Sequence, residues 1–590
     1  MAAQRAYTTH PLVLRRVTVR SVHQVTPRMR RVVLGGEELA AFTRDGTGHP
    51  AFAAPGFDDH IKLILAADGD VHAALPAQLP HGIEWTPAEH RLTRDYTPRR
   101  VDPEAGELHL DFVVHGDGPA EAWSAAAREG DELWFVGPKS SLRLPERLDW
   151  IQLVGDETAL PAIGRFLDER PLDAPVHVLV TVSDDSARQE LALREGDTVT
   201  WVVAEPGDAE ALEAAVRALP VEAGEGYVWA AAESRALLPV RRYLQRDRKL
   251  PKDRLNVTGY WHREEAPAPE AETTADAAVR EPARISSPLP WLVARAALQL
   301  GVVDAVADAP GLSAVALAAR VGVPVAGVGV LLPLLSSYGV VVGADDGAPG
   351  LRLGPAGEEL LDEHEREEYT GHEAELLLAL THLAPALRGG GSPWRLASGG
   401  TLHEAVAQDA ERYGELVEEC EQLVFLLGGL TADPLWESIG TCLLTGPGSA
   451  SVAAALDDAR RRPRLRVAED AVPVAVLRGH VPAPDRIDWT AGPADVAVAA
   501  KALAHRTDEE AVLLLARLAG WTRTAVLVEA SRPDGLSPHA AEAALHAYAA
   551  TGSPLRDSAA IAALAHRSGW EVERTIALGW GTEATVLRRA

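Results

Sequence analysis

Cysteine is nearly absent: the 590-residue chain has two, Cys420 and Cys442, and no Cys-x-x-Cys pair. That excludes a disulfide framework and a cysteine zinc site, and it fits a reducing compartment. No run approaches about 18 uninterrupted apolar residues, so no membrane-spanning segment is expected. The opening stretch MAAQRAYTTHPLVLRRVTV lacks the apolar core of a secretory signal, and a cytoplasmic protein is the expectation. Positive charge is also scarce. Lys and Arg number 57 against 85 Asp and Glu, a net charge of −28. So acidic a surface repels phosphate backbones and anionic lipid, which excludes bulk nucleic-acid and membrane-surface binding. His-Glu-x-x-His is missing, and His364 and His372 stand too far from other ligands to mark a metal site.

What is there is globular: 47% hydrophobic and 24% charged residues. Residues 264–283, rich in Pro, Ala, Glu and Thr, carry no apolar period and read as a flexible linker between two halves. Before it, RRVTVRSVHQV, HIKLILAA, ELHLDFVVH and GDELWFVG alternate as half-buried strands, giving a β-barrel over residues 1–148. WIQLVG, VHVLVTV, VTWVVA and GYVWAAA are instead continuous apolar runs, separated by helices such as AEALEAAVRAL. They predict a parallel α/β domain over residues 149–263. After the linker, LPWLVARAALQLGVVDAV, LSAVALAARVG and VAGVGVLLPLLSSYG read as helices followed by a hairpin, a winged-helix pattern over residues 284–365. The last of these helices has no Arg, Lys, Asn or Gln with which to read DNA. A helical connector, residues 366–435, leads to a Rossmann-like α/β domain, residues 436–590.

Several short strings carry chemistry. Arg94-Asp95-Tyr96-Thr97-Pro98-Arg99 is, standing by itself, a surface turn. His115-Gly116-Asp117-Gly118-Pro119-Ala120, then Trp123, follows a strand; its glycines admit close backbone approach, and Pro119 suits a first helical turn. The N–H groups at such a helix start form an anion site, although a plainly capped helix reads the same way. Gly137-Pro138-Lys139-Ser140-Ser141 comes next. Gly155-Asp156-Glu157-Thr158 then leaves a buried strand to open a helix, where α/β domains place ligands. This run is not Gly-x-Gly-x-x-Gly, and its two carboxylates repel phosphate. The half closes with Trp229-Ala230-Ala231-Ala232-Glu233 and Gly259-Tyr260-Trp261-His262.

In this order the motifs resemble the siderophore-interacting protein family of FAD-dependent ferric-siderophore reductases, over about residues 13–263. The resemblance implies a ferredoxin-reductase-like FAD barrel and a nicotinamide-binding domain, passing electrons from NAD(P)H through FAD to chelated Fe(III). It assigns to the cofactors Arg94, Tyr96, Thr97, Arg99, the loop His115, Gly116, Asp117, Gly118, Pro119 and Ala120, and Trp123. It adds Ser140, Ser141, Asp156, Glu157, Thr158 and Trp261. Tyr96 would pack along the flavin, Thr97 would reach its N5, and arginine would meet the pyrophosphate. Asp156 and Glu157 would face the nicotinamide and flavin rings. Lys62, Lys139, His262 and Arg263 would hold an anionic ferric siderophore, catecholate or hydroxamate; each alone is also a solvated surface cation. Ala232 stands where the family has Gly, and Lys139-Ser140-Ser141 replaces a glycine-containing string. Asp184 and Asp185, after the second α/β strand, tilt the donor toward NADH over NADPH; a ferredoxin donor stays open.

Residues 289–361 and 435–590 resemble the dimerisation region and catalytic domain of S-adenosylmethionine (SAM)-dependent O-methyltransferases. Gly446, Gly448 and Asp470 remain of a SAM site, Asp470 reading equally as a surface ion pair. Ala504 occupies the base position, and His505 is expected at the surface. SAM binding is therefore not expected. The half is expected to form a homodimer, the linker hanging one reductase from each side. A cytoplasmic ferric-siderophore reductase leads; a siderophore-tailoring methyltransferase with a flavin partner and a non-catalytic scaffold are the alternatives.

Overall fold

The computed structural model describes residues 7–590 apart from 68, 115–117, 221–222, 264–286, 344–349, 390, 482, 538–539 and 541. The expected linker and the loop residues His115, Gly116 and Asp117 lie outside the described residues, as does the side chain of His364.

Period-two alternation turns one face of each strand in the first domain inward. Strands β1 (Leu14–Thr26), β2 (Met29–Gly35), β3 (Ile61–Ala66), β4 (Arg91–Tyr96), β5 (Pro98–Asp102), β6 (Glu107–Val113) and β7 (Glu132–Val136) form one sheet in the order β5-β6-β2-β1-β7-β3-β4. Its two edges, β4 and β5, are joined by a single residue, Thr97. A sheet whose edges are one residue apart must curl, and it does so around Val17, Leu34, Leu63, Leu110, Phe112 and Phe135. Helix α1 (Pro119–Ala126) caps this core with Ala120 and Trp123.

The second domain has five parallel strands, β8 (Trp150–Gly155), β9 (Val176–Val182), β10 (Thr198–Val203), β11 (Gly226–Glu233) and β12 (Leu255–Trp261), in the order β10-β9-β8-β11-β12. Strands β8 and β11 are buried throughout, which is why their sequences are continuous apolar runs. Because all five strands run the same way, the residues after Gly155, Glu233 and Trp261 gather at one edge. Arginines join this domain to the barrel. Arg165, in helix α2 (Leu160–Glu169), is buried and donates to the carbonyls of Pro98 (3.1 Å) and Ala54.

In the second half the first expected helix is two, because Gly301 takes φ +71° between α4 (Leu289–Gln299) and α5 (Val302–Asp308); α3 (Leu237–Arg242) precedes them in the nucleotide domain. Helices α6 (Ala314–Val321) and α7 (Val325–Ser337) and the strand pair Val341–Val342 and Arg352–Leu353 complete the winged-helix pattern. The last domain places β13 (Thr441–Thr445), β14 (Arg464–Val467), β15 (Ile487–Asp488), β16 (Val496–Ala500), β17 (Thr524–Ala530), β18 (Trp570–Gly579) and β19 (Thr582–Arg589) in the order β15-β14-β13-β16-β17-β19-β18. β19 lies antiparallel between β17 and β18, a Rossmann-like methyltransferase layout.

The picture of reductases hanging from a dimeric core is corrected, because the halves pack directly. Glu84 of the barrel is buried, accepting from Arg532 (3.0 Å) and the Gly581 amide (3.2 Å), and Leu536 and Trp580 pack against the barrel's apolar cluster that includes Ile83 and Trp85. Arg241 and Arg242 of α3 pair with Asp362 and Glu358, and Arg235 with Glu359 (2.6 Å). No single helix among the described residues is long and apolar enough to cross a membrane.

Candidate functional site

The seam that closes the barrel carries the flavin motif. On β4, Arg94 and Tyr96 alternate with Asp95. The Tyr96 ring sits 4.5 Å from Phe112, itself 5.7 Å from Trp123, so an aromatic ladder runs from β4 to α1. Arg94 is exposed; it bonds the neighbouring Thr93 carbonyl (2.8 Å) and forms no ion pair among the described residues. Gly118 and Pro119 start α1 directly after the loop that carries the motif. Thr97 is buried and hydrogen-bonded to Tyr260 of the nucleotide domain, whose phenol burial holds neutral. A cationic side chain, an aromatic wall and a buried hydroxyl beside a helix start together fit FAD. Sequence reasoning quoted Tyr260 but gave it no role; only the fold shows that it meets Thr97.

Not every expected cofactor residue keeps its side chain for a ligand. Arg99 pairs with Asp168 (2.7 Å) and packs on Gly164, where a Cβ would meet it at 3.0 Å, so it fastens the two domains. The Ser141 hydroxyl donates to Asp59 (2.7 Å) and meets the His10 ring (2.7 Å) inside the barrel. Asp59, buried, is pushed up to about 7 by desolvation. Ser140 opens the short strand Ser140–Leu142 beside it.

The expectation that Asp156 and Glu157 face the rings is corrected. Asp156 is buried and accepts from Thr158 (N 2.9 Å, Oγ1 2.5 Å), the Glu233 amide (3.1 Å) and the Trp261 indole (2.7 Å); Glu157 accepts from Ser183 (N 2.8 Å, Oγ 2.5 Å). Both carboxylates thus brace the loops at the strand ends, and desolvation, the largest influence, raises the Asp156 pKa. Asp184 accepts from Ser186 (2.8 Å) and pairs with Arg28 (3.5 Å), and Asp185 pairs with Arg188 (2.7 Å), so neither is a bare charge.

The four expected siderophore cations fall into two groups. Lys62 on β3 stands opposite Asp95 and bonds it at 2.8 and 3.0 Å; Lys139 lies within electrostatic reach of both, and burial lowers its pKa. His262 and Arg263 follow the last strand of the nucleotide domain, just past Tyr260, which bonds Thr97. The buried Glu233 holds His262 at 3.6 Å and accepts from the Arg263 amide at 3.1 Å. Lys62 and Lys139 are brought together beside Asp95, and His262 and Arg263 together at Glu233.

In the second half, Gly446 takes φ +93°, and its amide and the Thr445 hydroxyl both donate to Glu469 (2.6 Å each). Glu469, not Asp470, therefore faces the glycine turn; Asp470 is exposed at a helix start without a capping bond. A Cβ on Gly448 would meet Ala500 at 2.8 Å and Leu423 at 3.0 Å, so its glycine serves packing. His505 is buried, not at the surface: it lies 5.4 Å from the His403 ring and 3.0 Å from Arg506, and burial drives its pKa well down. Glu469 is thus engaged by the turn, and Leu423 packs against it. A cavity of about 210 Å³ beside them is lined by Glu419, Lys501, His505, Glu529 and Arg556, far along the chain from the flavin motifs. Among the described residues no cluster of three or more metal-ligating side chains occurs.

Comparison with known proteins agrees with this geometry. Residues 18–142 match the siderophore-interacting FAD-binding domain, residues 148–264 the siderophore-interacting protein model, and residues 292–363 the O-methyltransferase dimerisation domain. An NADPH-dependent ferric-chelate reductase of Escherichia coli is 31% identical over 254 residues, 42% of this chain and 94% of that protein. A ferric vibriobactin reductase of Vibrio cholerae is 30% identical over 243 residues, 40% of this chain and 86% of its own. A crystal structure of a siderophore utilization protein from T. fusca is 35% identical and covers 45% of this chain and 98% of its own, with a TM-score of 0.41. Barrel, nucleotide domain and motif order thus come together in one assignment: the chain belongs to the siderophore-interacting protein family.

Proposed function

We propose that this protein is a cytoplasmic flavin-dependent reductase of ferric siderophores that releases iron by converting Fe(III) to Fe(II). One observation carries the reading: the β3–β4 register sets Lys62 opposite Asp95 and Ile61 opposite Tyr96. Alternation along β4 puts Asp95 and, just past its end, Thr97 on the Lys62 face. The cation for an anionic chelate and the hydroxyl for the flavin are then neighbours.

FAD, when bound, supplies the exchange between a two-electron donor and one-electron acceptors. A reduced nicotinamide gives up two electrons and a proton, enough for two ferric centres. Arg94 and the α1 start hold the phosphates, Tyr96 packs against the ring system, and Thr97, fixed by Tyr260, orients it. Lys62 and Lys139 hold the chelate. Loss of one positive charge on iron weakens its hold on hard oxygen donors, and the metal exchanges. The NADH preference loses its basis once Asp184 and Asp185 are paired; the Escherichia coli relative is NADPH-dependent by name.

The second half we read as a dimerisation module without methyl transfer, because its glycine turn is spent on Glu469 and Leu423. Anaerobic reduction of the purified protein by NADH and NADPH in parallel, followed by a ferric tris-catecholate, tests the reading. Flavin bleaching followed by chelate-dependent recovery supports it. A colourless protein, or reduced flavin that does not respond to chelate, refutes it.

A further inference from the structure

The Lys62–Lys139 site does not belong to the first half alone. A short helical turn of the second half, Glu421–Phe425, lies against it. Lys139 Nζ donates to Gln422 Oε1 at 2.9 Å and stands 5.1 Å from the Phe425 ring centroid. The two residues are 283 positions apart in sequence. The same turn is fixed from behind: Leu423 is buried against the Gly448 loop, and a Cβ on Gly428, just beyond, would meet the His81 carbonyl of the barrel at 3.4 Å. Neighbouring Asp458 feels Arg143 of the barrel. The turn is thus clamped between the two halves, with its polar and aromatic side chains presented to Lys139, which forms no ion pair among the described residues.

We propose that Gln422 and Phe425 form a wall of the siderophore site, Gln422 positioning Lys139 and Phe425 selecting chelates that carry aryl rings. This rests on the reductase reading above. In the free protein Lys139 is satisfied by a neutral amide and an aromatic face, both weaker partners than an anion. An anionic ferric catecholate displaces the amide, takes the charge-assisted contact, and lays an aryl ring beside Phe425. A hydroxamate chelate gains the charge contact and not the aryl one, so the wall discriminates between the two classes.

The test uses the full chain carrying bound flavin. Phe425→Leu should raise KM for a ferric tris-catecholate about tenfold and leave a ferric trihydroxamate within about twofold. Gln422→Glu gives Lys139 a charged internal partner, and should raise KM for both chelates about tenfold at low salt and less at high salt. Flavin reduction by nicotinamide nucleotide, which needs neither side chain, should keep its rate in both variants. If KM for both chelates is unchanged in both variants while Lys139→Ala raises it, the wall is wrong and the reductase reading stands. If Lys139→Ala is also silent, the cation site itself is wrong. Slowed flavin reduction or flavin loss in either variant also overturns the assignment, since it shows a structural role.

Discussion

On the proposed reading Arg94 holds the flavin and Lys62 the chelate, so their loss is read by different measurements. Arg94→Ala should cut FAD affinity roughly tenfold to a hundredfold, as loss of a charge-assisted phosphate contact does, read by flavin retention on dilution. Lys62→Glu should keep flavin and raise chelate KM, the effect shrinking with salt because Lys62 is partly solvated. A third residue responds to pH. Buried Glu529, which accepts from the Leu503 amide at 2.7 Å, is pushed from 4.5 up to about 7 by desolvation. Between those values the unfolded carboxyl is ionised while the folded one keeps its proton, so stability falls as pH rises, by about 3 kcal/mol across the window. Glu529→Gln should flatten that slope in urea titrations at pH 5 and 7.5. At this scale the sequence shows which residues bear charge and not which charges are spent. Asp156 and Glu157 look like ligand-facing carboxylates until Trp261 and Ser183, far along the chain, are seen to bond them.

Strands and helices were more legible, because their signal is periodic and local. The alternating barrel strands and the continuous runs of β8 and β11 need no distant information. Gly301 shows the limit: one left-handed residue inside an apolar helical pattern makes two helices, and the period does not register it. Contacts between elements are the least legible. Gly579 takes φ +102°, and a Cβ there would sit 2.3 Å from the Ile83 carbonyl. Gly579→Ala should cost about 1–3 kcal/mol through backbone strain and the clash together, and should loosen the joint between β18 and the barrel. Limited proteolysis within 76–86 should speed up while far-ultraviolet dichroism holds; unchanged cleavage would mean that this joint is not structural.

For the molecule as a whole, the dimerisation helices leave apolar side chains uncovered: Val330 on α7 is 70% exposed and Val315 on α6 62%. Helices of such composition are stable when something covers them, and a second copy is the cover that the matched dimerisation domain implies. Light scattering of the intact chain should give twice the 62.8 kDa of one copy, and Val330→Glu should shift it toward the monomer. A monomeric parent protein would overturn this. The joint through Glu84 bears on how the molecule is made. Gly581, whose amide bonds Glu84, is synthesised 497 residues later. At roughly 5–20 residues per second the barrel leaves the ribosome about half a minute to two minutes before its cover exists. Ile83 and Trp85 spend that interval open to water and to other nascent chains, so yield should depend on how long the ribosome takes to finish.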